Sequence, residues 1–210
     1  MKKSSDSARF AAAARSPSLV ASGPENRERT PSPTSRRLFF ALWPDDAVVA
    51  ELTEWAQRAQ EACNGRRMRA DTLHMTLAFL GTVAVDRIPV LAEMLQGRRW
   101  PGGVLSLDRV GRFGGPKIVW AGSSEPSPWL DAMHVALWRA LSYQGFKEPD
   151  EPFRAHVSLL RNAGAGDLSA VVGSRPVIWT PDRLVLVASA PRGSGSYYEV
   201  IAECGVTPAY

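Results

Sequence analysis

Hydrophobic residues along the chain form short apolar runs that alternate with stretches of helical spacing. Runs typical of buried strands occur at 37–42, 73–79 and 153–160. Two later strands are predicted near 183–190 and 197–204. The folded part of the protein is therefore expected to begin close to residue 36.

Three stretches place apolar residues at the spacing of a helix. The first follows Pro44, Asp45 and Asp46, which favour a helix start, and ends at Asn64-Gly65. A short helix is predicted over about 87–96 and a longer one over about 127–144. Two further strand-like segments, 103–113 and 117–122, lie between these two helices. A glycine turn at Gly114-Gly115 joins them.

A histidine followed two residues later by a hydroxyl occurs in two of the strand-like runs. His74 and Thr76 lie in "LHMTLAFLG", and His156 and Ser158 lie in "AHVSLLR", 82 residues further on (156 − 74 = 82). In each half of the chain, a predicted helix precedes this strand. This repeated order of helix and motif strand predicts an α+β protein built from two similar lobes.

The charge is unevenly distributed along the chain. Residues 1–37 hold eight basic and three acidic residues (8 − 3 = +5), whereas the remainder holds 17 basic and 18 acidic residues, a net of −1. Residues 1–35 are rich in Ser, Pro, Ala and Arg, a composition that favours disorder. We therefore expect a disordered basic tail over 1–35 and a single bilobal domain over 36–210. Its near-neutral body argues against a globally basic nucleic-acid-binding protein.

Several classes of protein are disfavoured by what the sequence contains. No run approaches the roughly 18 apolar residues of a membrane span. Cys63 and Cys204 belong to no metal-binding spacing and are expected to be free thiols in a reducing compartment. Two isolated histidines do not supply a zinc site, and no glycine-rich phosphate loop of the GxxxxGK[ST] type occurs. We expect neither a metal nor a cofactor.

Residues two apart on a strand share a face, so each motif presents one imidazole and one hydroxyl together. The alternate residues, including Leu77 and Phe79, are then expected to point into the core. Two imidazoles around a small site suit a phosphodiester, because one can act as base on the attacking oxygen and the other as acid on the leaving oxygen. The hydroxyls can donate to the non-bridging oxygens.

A guanidinium would add charge stabilisation, and two arginines flank the second motif. Arg161 is close in sequence, but on a regular strand it faces away from His156. Arg154 lies two residues before His156, so on a regular strand it shares the face of His156, and it is the second candidate. The third histidine, His134, falls on the apolar stripe of the last predicted helix and is interpreted as structural.

The segments "HMTL" (74–77) and "HVSL" (156–159) resemble the tandem motif of the two-histidine phosphoesterase superfamily. With "RLFFALWPDD" before them and "KIVWAG" between them, the chain resembles the bacterial RNA 2′,3′-cyclic phosphodiesterases, also called 2′-5′ RNA ligases. The likeness extends over about 37–203. One departure is Ser158, where the family commonly has Thr; the hydroxyl is retained.

This resemblance implies a bilobal, pseudo-twofold α+β fold with two antiparallel-rich sheets, helices outside and a central cleft. It implies hydrolysis of a 2′,3′-cyclic phosphate on RNA 3′ ends or nucleotides to a 2′-phosphate, without metal or cofactor. His74 would be the general acid and His156 the general base, while Thr76, Ser158 and Arg161 would bind the phosphate. We expect a cytoplasmic monomer that does not bind membranes.

Two alternatives remain open from the sequence. The same site could join RNA ends reversibly through a 2′-5′ linkage if a 5′-hydroxyl replaced water. The chain could also be a module that binds RNA ends, with incidental turnover.

Overall fold

The computed structural model describes residues 34–172, 175–192 and 195–208, which contain eleven strands, three α-helices and two 3₁₀ turns at Ala70–Thr72 and Val85–Arg87. The helices are α1 (Asp46–Cys63), α2 (Ile88–Gln96) and α3 (Pro128–Ser142). The strands are β1 (Ser35–Leu42), β2 (Arg66–Arg67), β3 (Met75–Ala84), β4 (Trp100–Gly102), β5 (Leu105–Leu107), β6 (Arg109–Phe113), β7 (Ile118–Gly122), β8 (Val157–Arg161), β9 (Val177–Trp179), β10 (Arg183–Arg192) and β11 (Gly195–Pro208).

Nine of these strands form one sheet in the order β4-β11-β10-β1-β3-β8-β7-β6, with β2 also paired to β8. Strands β5 and β9 form a separate two-stranded sheet. Neighbours pair antiparallel throughout except β4 and β11, which are parallel. The predicted antiparallel-rich α+β fold is confirmed.

The two halves of the large sheet meet at one register pair, Met75 in β3 and Val157 in β8. Further along β8, its edge is occupied by β2, which pairs Arg67 with Leu160 and Arg66 with Arg161. Strands β3 and β8 therefore touch where they begin and then separate. This gives the two-lobed arrangement that the repeated motif predicts.

The helices lie on one face of the sheet: α2 packs on β10 and β11, while α1 and α3 each cover the motif strand of the other half. Helix α1 packs on β8, whereas α3 packs on β3. Asp45 begins α1 as predicted, because its side chain accepts a hydrogen bond of 2.9 Å from the backbone N–H of Val48. Leu52 and Trp55 of α1 are buried in the core beneath the sheet.

Some short elements were not predicted from the sequence. Segment 103–113 is two strands, β5 and β6, and the two- and three-residue strands β2, β4 and β9 carry too few residues to show a periodic pattern. Residues 1–33 of the predicted tail lie outside the described residues, so that part stays a prediction. Ser35 already belongs to β1, where it pairs with Ala84.

Gly65 allows the chain to turn from α1 directly into β2. Its φ is +97°, and a Cβ there would lie 2.9 Å from the Cα of Ala163 and 3.0 Å from the carbonyl oxygen of Arg161. Both the backbone angle and the close approach to β8 therefore require glycine.

We expect Gly65→Ala to lower the free energy of unfolding by about 2 kcal/mol, because alanine adds backbone strain and a clash with backbone atoms. Chemical denaturation measures this change. Gly114→Ala is the matched control, since a Cβ at Gly114 meets nothing within 4 Å and its φ lies outside the positive range. Equal stability of the two variants would contradict the role given to Gly65.

Candidate active site

Both motif histidines lie immediately before a strand, His74 before β3 and His156 before β8. The antiparallel pair Met75–Val157, continued by one residue each way, sets His74 opposite Ser158 and Thr76 opposite His156. Met75 and Val157 are buried on the helix-covered side. Their four neighbours therefore face the other side of the sheet, together.

A β-bulge follows each motif at the same place. In β3, Thr76 pairs with Ala41 and Ala78 with Phe40, so Leu77 is an extra residue. In β8, Ser158 pairs with Trp120 and Leu160 with Val119, so Leu159 is the extra residue. The bulge falls three residues after the histidine in both halves and reverses the alternation of the side chains beyond it.

The bulges change the direction of two side chains. Beyond Leu159, Arg161 returns to the face of His156 and Ser158, which removes the objection that a regular strand would turn it away. Beyond Leu77, Phe79 pairs with Phe39 and is 48% exposed. The prediction that Phe79 points into the core is wrong for this reason. Phe79 and Arg161 occupy equivalent places, each five residues after its histidine.

The two candidate arginines border opposite ends of the site. Arg161 lines a cavity of about 310 Å³ together with His74 and Thr76. Arg154 lies beside His156, bordering a second cavity of about 380 Å³, and its guanidinium carbon is 5.9 Å from the ring centre of Phe113. Ser158 is half-buried between these regions, next to Trp120 across the strand pair.

The imidazole ring of each motif histidine is oriented by the backbone carbonyl of the residue two positions before it. The Nδ1 atoms of His74 and His156 lie 2.7 Å from the carbonyl oxygens of Thr72 and Arg154, respectively. A carbonyl only accepts hydrogen bonds, so Nδ1 carries the proton and donates it. In the neutral ring, Nε2 then holds the lone pair and is available as a base.

Aromatic side chains surround both imidazoles. His74 stacks on Phe39 and Trp43, at 4.9 and 5.5 Å between ring centres, and the ring of Tyr198 contacts it edge-on at 5.3 Å. Phe113 contacts His156 edge-on at 5.0 Å. Residues Phe39 and Trp43 were missed as site residues, although β1 is apolar at successive positions, a signal that both of its faces are covered.

This packing favours the neutral rings. Burial, with smaller contributions from the nearby His156 and Arg161, lowers the pKa of His74 to about 4, while the hydrogen bond to Thr72 opposes the shift. Burial also lowers the pKa of His156, against the hydrogen bond to Arg154. His156 and Arg161 thus lie close enough to His74 for their charges to disfavour its protonated form.

The third histidine is part of the packing, as predicted. His134 is buried in α3 and stacks on Phe153 at 4.0 Å between ring centres. Within residues 34–172, 175–192 and 195–208, no group of three or more His, Cys, Asp or Glu side chains could hold a metal ion. None of the helices that the structure describes is long and apolar enough to cross a membrane.

Two neighbouring histidine motifs in a bilobal α+β fold define the two-histidine phosphoesterases. The family model of the 2′-5′ RNA ligase superfamily matches residues 44–191, about 70% of the chain. The chain therefore belongs to the 2′-5′ RNA ligase superfamily.

Curated relatives and solved structures agree with this assignment. The chain is 34% identical over 129 residues to the RNA 2′,3′-cyclic phosphodiesterase of Escherichia coli, a match covering 61% of this chain and 73% of that protein. It is 26% identical to the enzyme of the same name from Thermotoga maritima, over 80% of this chain and 94% of that one. The crystal structure of E. coli LigT complexed with 3′-AMP is similar with a TM-score of 0.70 and 29% identity, over 82% of this chain and 99% of that chain.

Proposed function

We propose that the protein hydrolyses the 2′,3′-cyclic phosphate of an RNA end or a nucleotide to a 2′-phosphate, with His74 as general acid and His156 as general base. The observation that supports this most directly is the duplicated site: two imidazoles, each with Nδ1 held by a carbonyl and Nε2 available. A displacement at phosphorus needs one such group on each side of the phosphate.

The proposed reaction is a single in-line displacement. Nε2 of His156 removes a proton from water as the water oxygen attacks phosphorus. The bond between phosphorus and O3′ breaks, and O3′ takes the proton from Nε2 of His74. The product keeps its phosphate on O2′, and the two imidazoles exchange protons with solvent before the next turnover.

The phosphate itself would be held by Thr76, Ser158 and Arg161. The register sets the hydroxyl of Thr76 beside His156 and that of Ser158 beside His74, so one donor accompanies each reacting side. Arg161 adds a positive charge on the His74 side of the cleft. These groups would stabilise the charge on the non-bridging oxygens as the displacement proceeds.

Hydrolysis is better supported than ligation, since four curated relatives are named RNA 2′,3′-cyclic phosphodiesterases. An RNA-end-binding module with incidental turnover would not need two oriented imidazoles. We further propose that residues 36–210 act as one cytoplasmic, monomeric unit. All assigned side chains come from one chain, and Cys63 and Cys204 are free thiols, which agrees with a reducing compartment.

Replacing either histidine with alanine should lower kcat on nucleoside 2′,3′-cyclic monophosphates by at least about 10³-fold, because each proton transfer then falls to water. Ser158→Ala should lower kcat by about 10²-fold. Ser158→Thr is the matched control and should keep most of the activity. Turnover is measured in excess EDTA by resolving 2′- from 3′-phosphate products. Full activity of either histidine variant would overturn the assignment.

The lowered pKa values of both imidazoles set the pH dependence of kcat/KM, which reports on the free enzyme. Activity needs one imidazole protonated and the other neutral; since the pKa of His74 is about 4 and burial holds that of His156 below its ordinary value, kcat/KM should peak below pH 6.5. Above pH 6.5 both imidazoles of the free enzyme are mostly neutral, so the fraction with His74 protonated, and with it kcat/KM, should fall about tenfold per pH unit. Circular dichroism at each pH controls for unfolding. A flat profile from pH 6.5 to 8.5 would contradict the two-imidazole mechanism.

Phe79 offers a surface on which the base of the terminal nucleotide can stack. Its ring is half-exposed, lines the cavity of His74 and Thr76, and has the guanidinium of Arg37 5.3 Å from its centre. Aromatic rings bind single-stranded bases in this way with little dependence on sequence.

Phe79→Ala should therefore lower kcat/KM about tenfold or more for all four nucleoside cyclic phosphates, since a base stack contributes about 1–3 kcal/mol. Phe79→Tyr should keep the stacking surface and the activity. Ile178→Ala in β9 removes a similarly exposed apolar side chain (54%) away from the site and should have no effect. Unchanged kcat/KM in Phe79→Ala would exclude the stack.

A further inference from the structure

Two arginines lie directly opposite each other beside the active site. Arg66 in β2 is the register partner of Arg161 in β8. Residues opposite each other in an antiparallel pair have Cβ atoms about 4.5–5.5 Å apart, and like charges there are destabilising. Both side chains are exposed, and neither is in an ion pair with a carboxylate among the residues that the structure describes.

The backbone holds this pair in place without help from a counterion. Gly65 lets β2 approach β8 closely, and the N–H of Met68 donates a hydrogen bond of 2.8 Å to the carbonyl of Leu159. The fold therefore places two like-charged side chains directly opposite each other, which costs free energy. An anion bound between them would remove that cost and gain charge-assisted hydrogen bonds.

The pair opens onto a groove that continues the cavity of His74. Arg66, Arg161 and Thr72 line this groove, which shares Arg161, Ser196 and Tyr198 with the His74 cavity. The neighbouring Arg69 is already paired with both carboxylate oxygens of Asp71. The uncompensated positive charge of the groove is therefore that of Arg66 and Arg161.

The covalent connectivity of the ribose indicates which part of the substrate lies nearest this groove. O3′ is attached to C3′, and C3′ is bonded to C4′, which leads to C5′ and to the preceding nucleotide. If His74 protonates O3′, the 5′ side of the terminal ribose lies on the His74 side of the cleft. The groove of Arg66 is on that side.

We propose that Arg66 binds the phosphodiester that joins the terminal nucleotide to the one before it, while its register partner Arg161 lies between that phosphate and the reacting one. This contact makes an RNA end a better substrate than a nucleoside cyclic monophosphate, which lacks that phosphate. The proposal rests on the proposed function, since it uses His74 as the group at O3′.

The test compares two substrates that share a reacting end: a nucleoside 2′,3′-cyclic monophosphate and a short RNA ending in the same nucleotide. Arg66→Ala should lower the ratio of kcat/KM for RNA over mononucleotide about tenfold, because one charge-assisted contact is lost. Arg67→Ala is the matched control, since Arg67 is the adjacent exposed arginine of β2 and pairs with the core residue Leu160 instead. It should leave the ratio unchanged.

Binding of a short RNA that ends in a 2′-phosphate gives a second measurement, independent of turnover. In a plot of log affinity against log salt concentration, the slope for Arg66→Ala should be shallower by about 0.7 than that of the wild type, as expected for one phosphate contact on a single strand. Arg67→Ala should keep the wild-type slope.

Two results would overturn the proposal. An equal loss on both substrates would place Arg66 at the reacting phosphate, and an unchanged ratio with an unchanged salt slope would leave Arg66 without a role in RNA binding. Failure of the wild type to hydrolyse either substrate would overturn the proposed function. The salt slope of RNA binding would then still decide whether Arg66 binds a phosphate.

Discussion

The active site depends on one pair of apolar residues, Met75 and Val157, which join the two halves of the sheet. Both side chains are buried against the helices, with 1% and 0% of their surface exposed. Because side chains alternate along a strand, burying this pair turns the residues before and after it to the open face. Two imidazoles and two hydroxyls are thus brought together by hydrophobic packing on the opposite side of the sheet. A shift of this register by one residue would exchange the catalytic and core faces.

The sequence predicts the large elements and the motif pair but not the path of the chain between them. The helix preceding each motif and the alternation of His74 with Thr76 are local patterns, so a period of 3.6 or 2 reveals them. The bulges at Leu77 and Leu159 depend on how β3 and β8 pair with their partner strands β1 and β7. The sequence of one strand does not reveal the register in which it pairs with another. For that reason the predicted direction of the Phe79 side chain is wrong, and the sequence does not decide whether the Arg161 side chain faces the site.

The side chains around the imidazoles orient the rings and also disfavour their protonated, charged form. Stacking on Phe39 and Trp43 fixes the ring of His74 and removes water from it, which disfavours the protonated form. The carbonyl of Thr72 then decides which nitrogen keeps the single proton. An anionic phosphate in the cleft opposes the penalty, because a negative charge nearby favours the imidazolium. If His74 is the acid, as proposed, it would be protonated most readily when substrate is bound.

The equivalent positions of Phe79 and Arg161 have a consequence for regioselectivity. A site with true twofold symmetry would accept a cyclic phosphate in either of two orientations, and would release the 2′ and 3′ oxygens without distinction. In this protein the position five residues after the histidine is aromatic in one half and cationic in the other. Under the proposed function, the aromatic position would favour the base and the cationic position a phosphate, so the substrate would have one preferred pose. The divergence of a single duplicated position would thus convert a symmetric pair of strands into a catalyst that selects which ribose oxygen leaves.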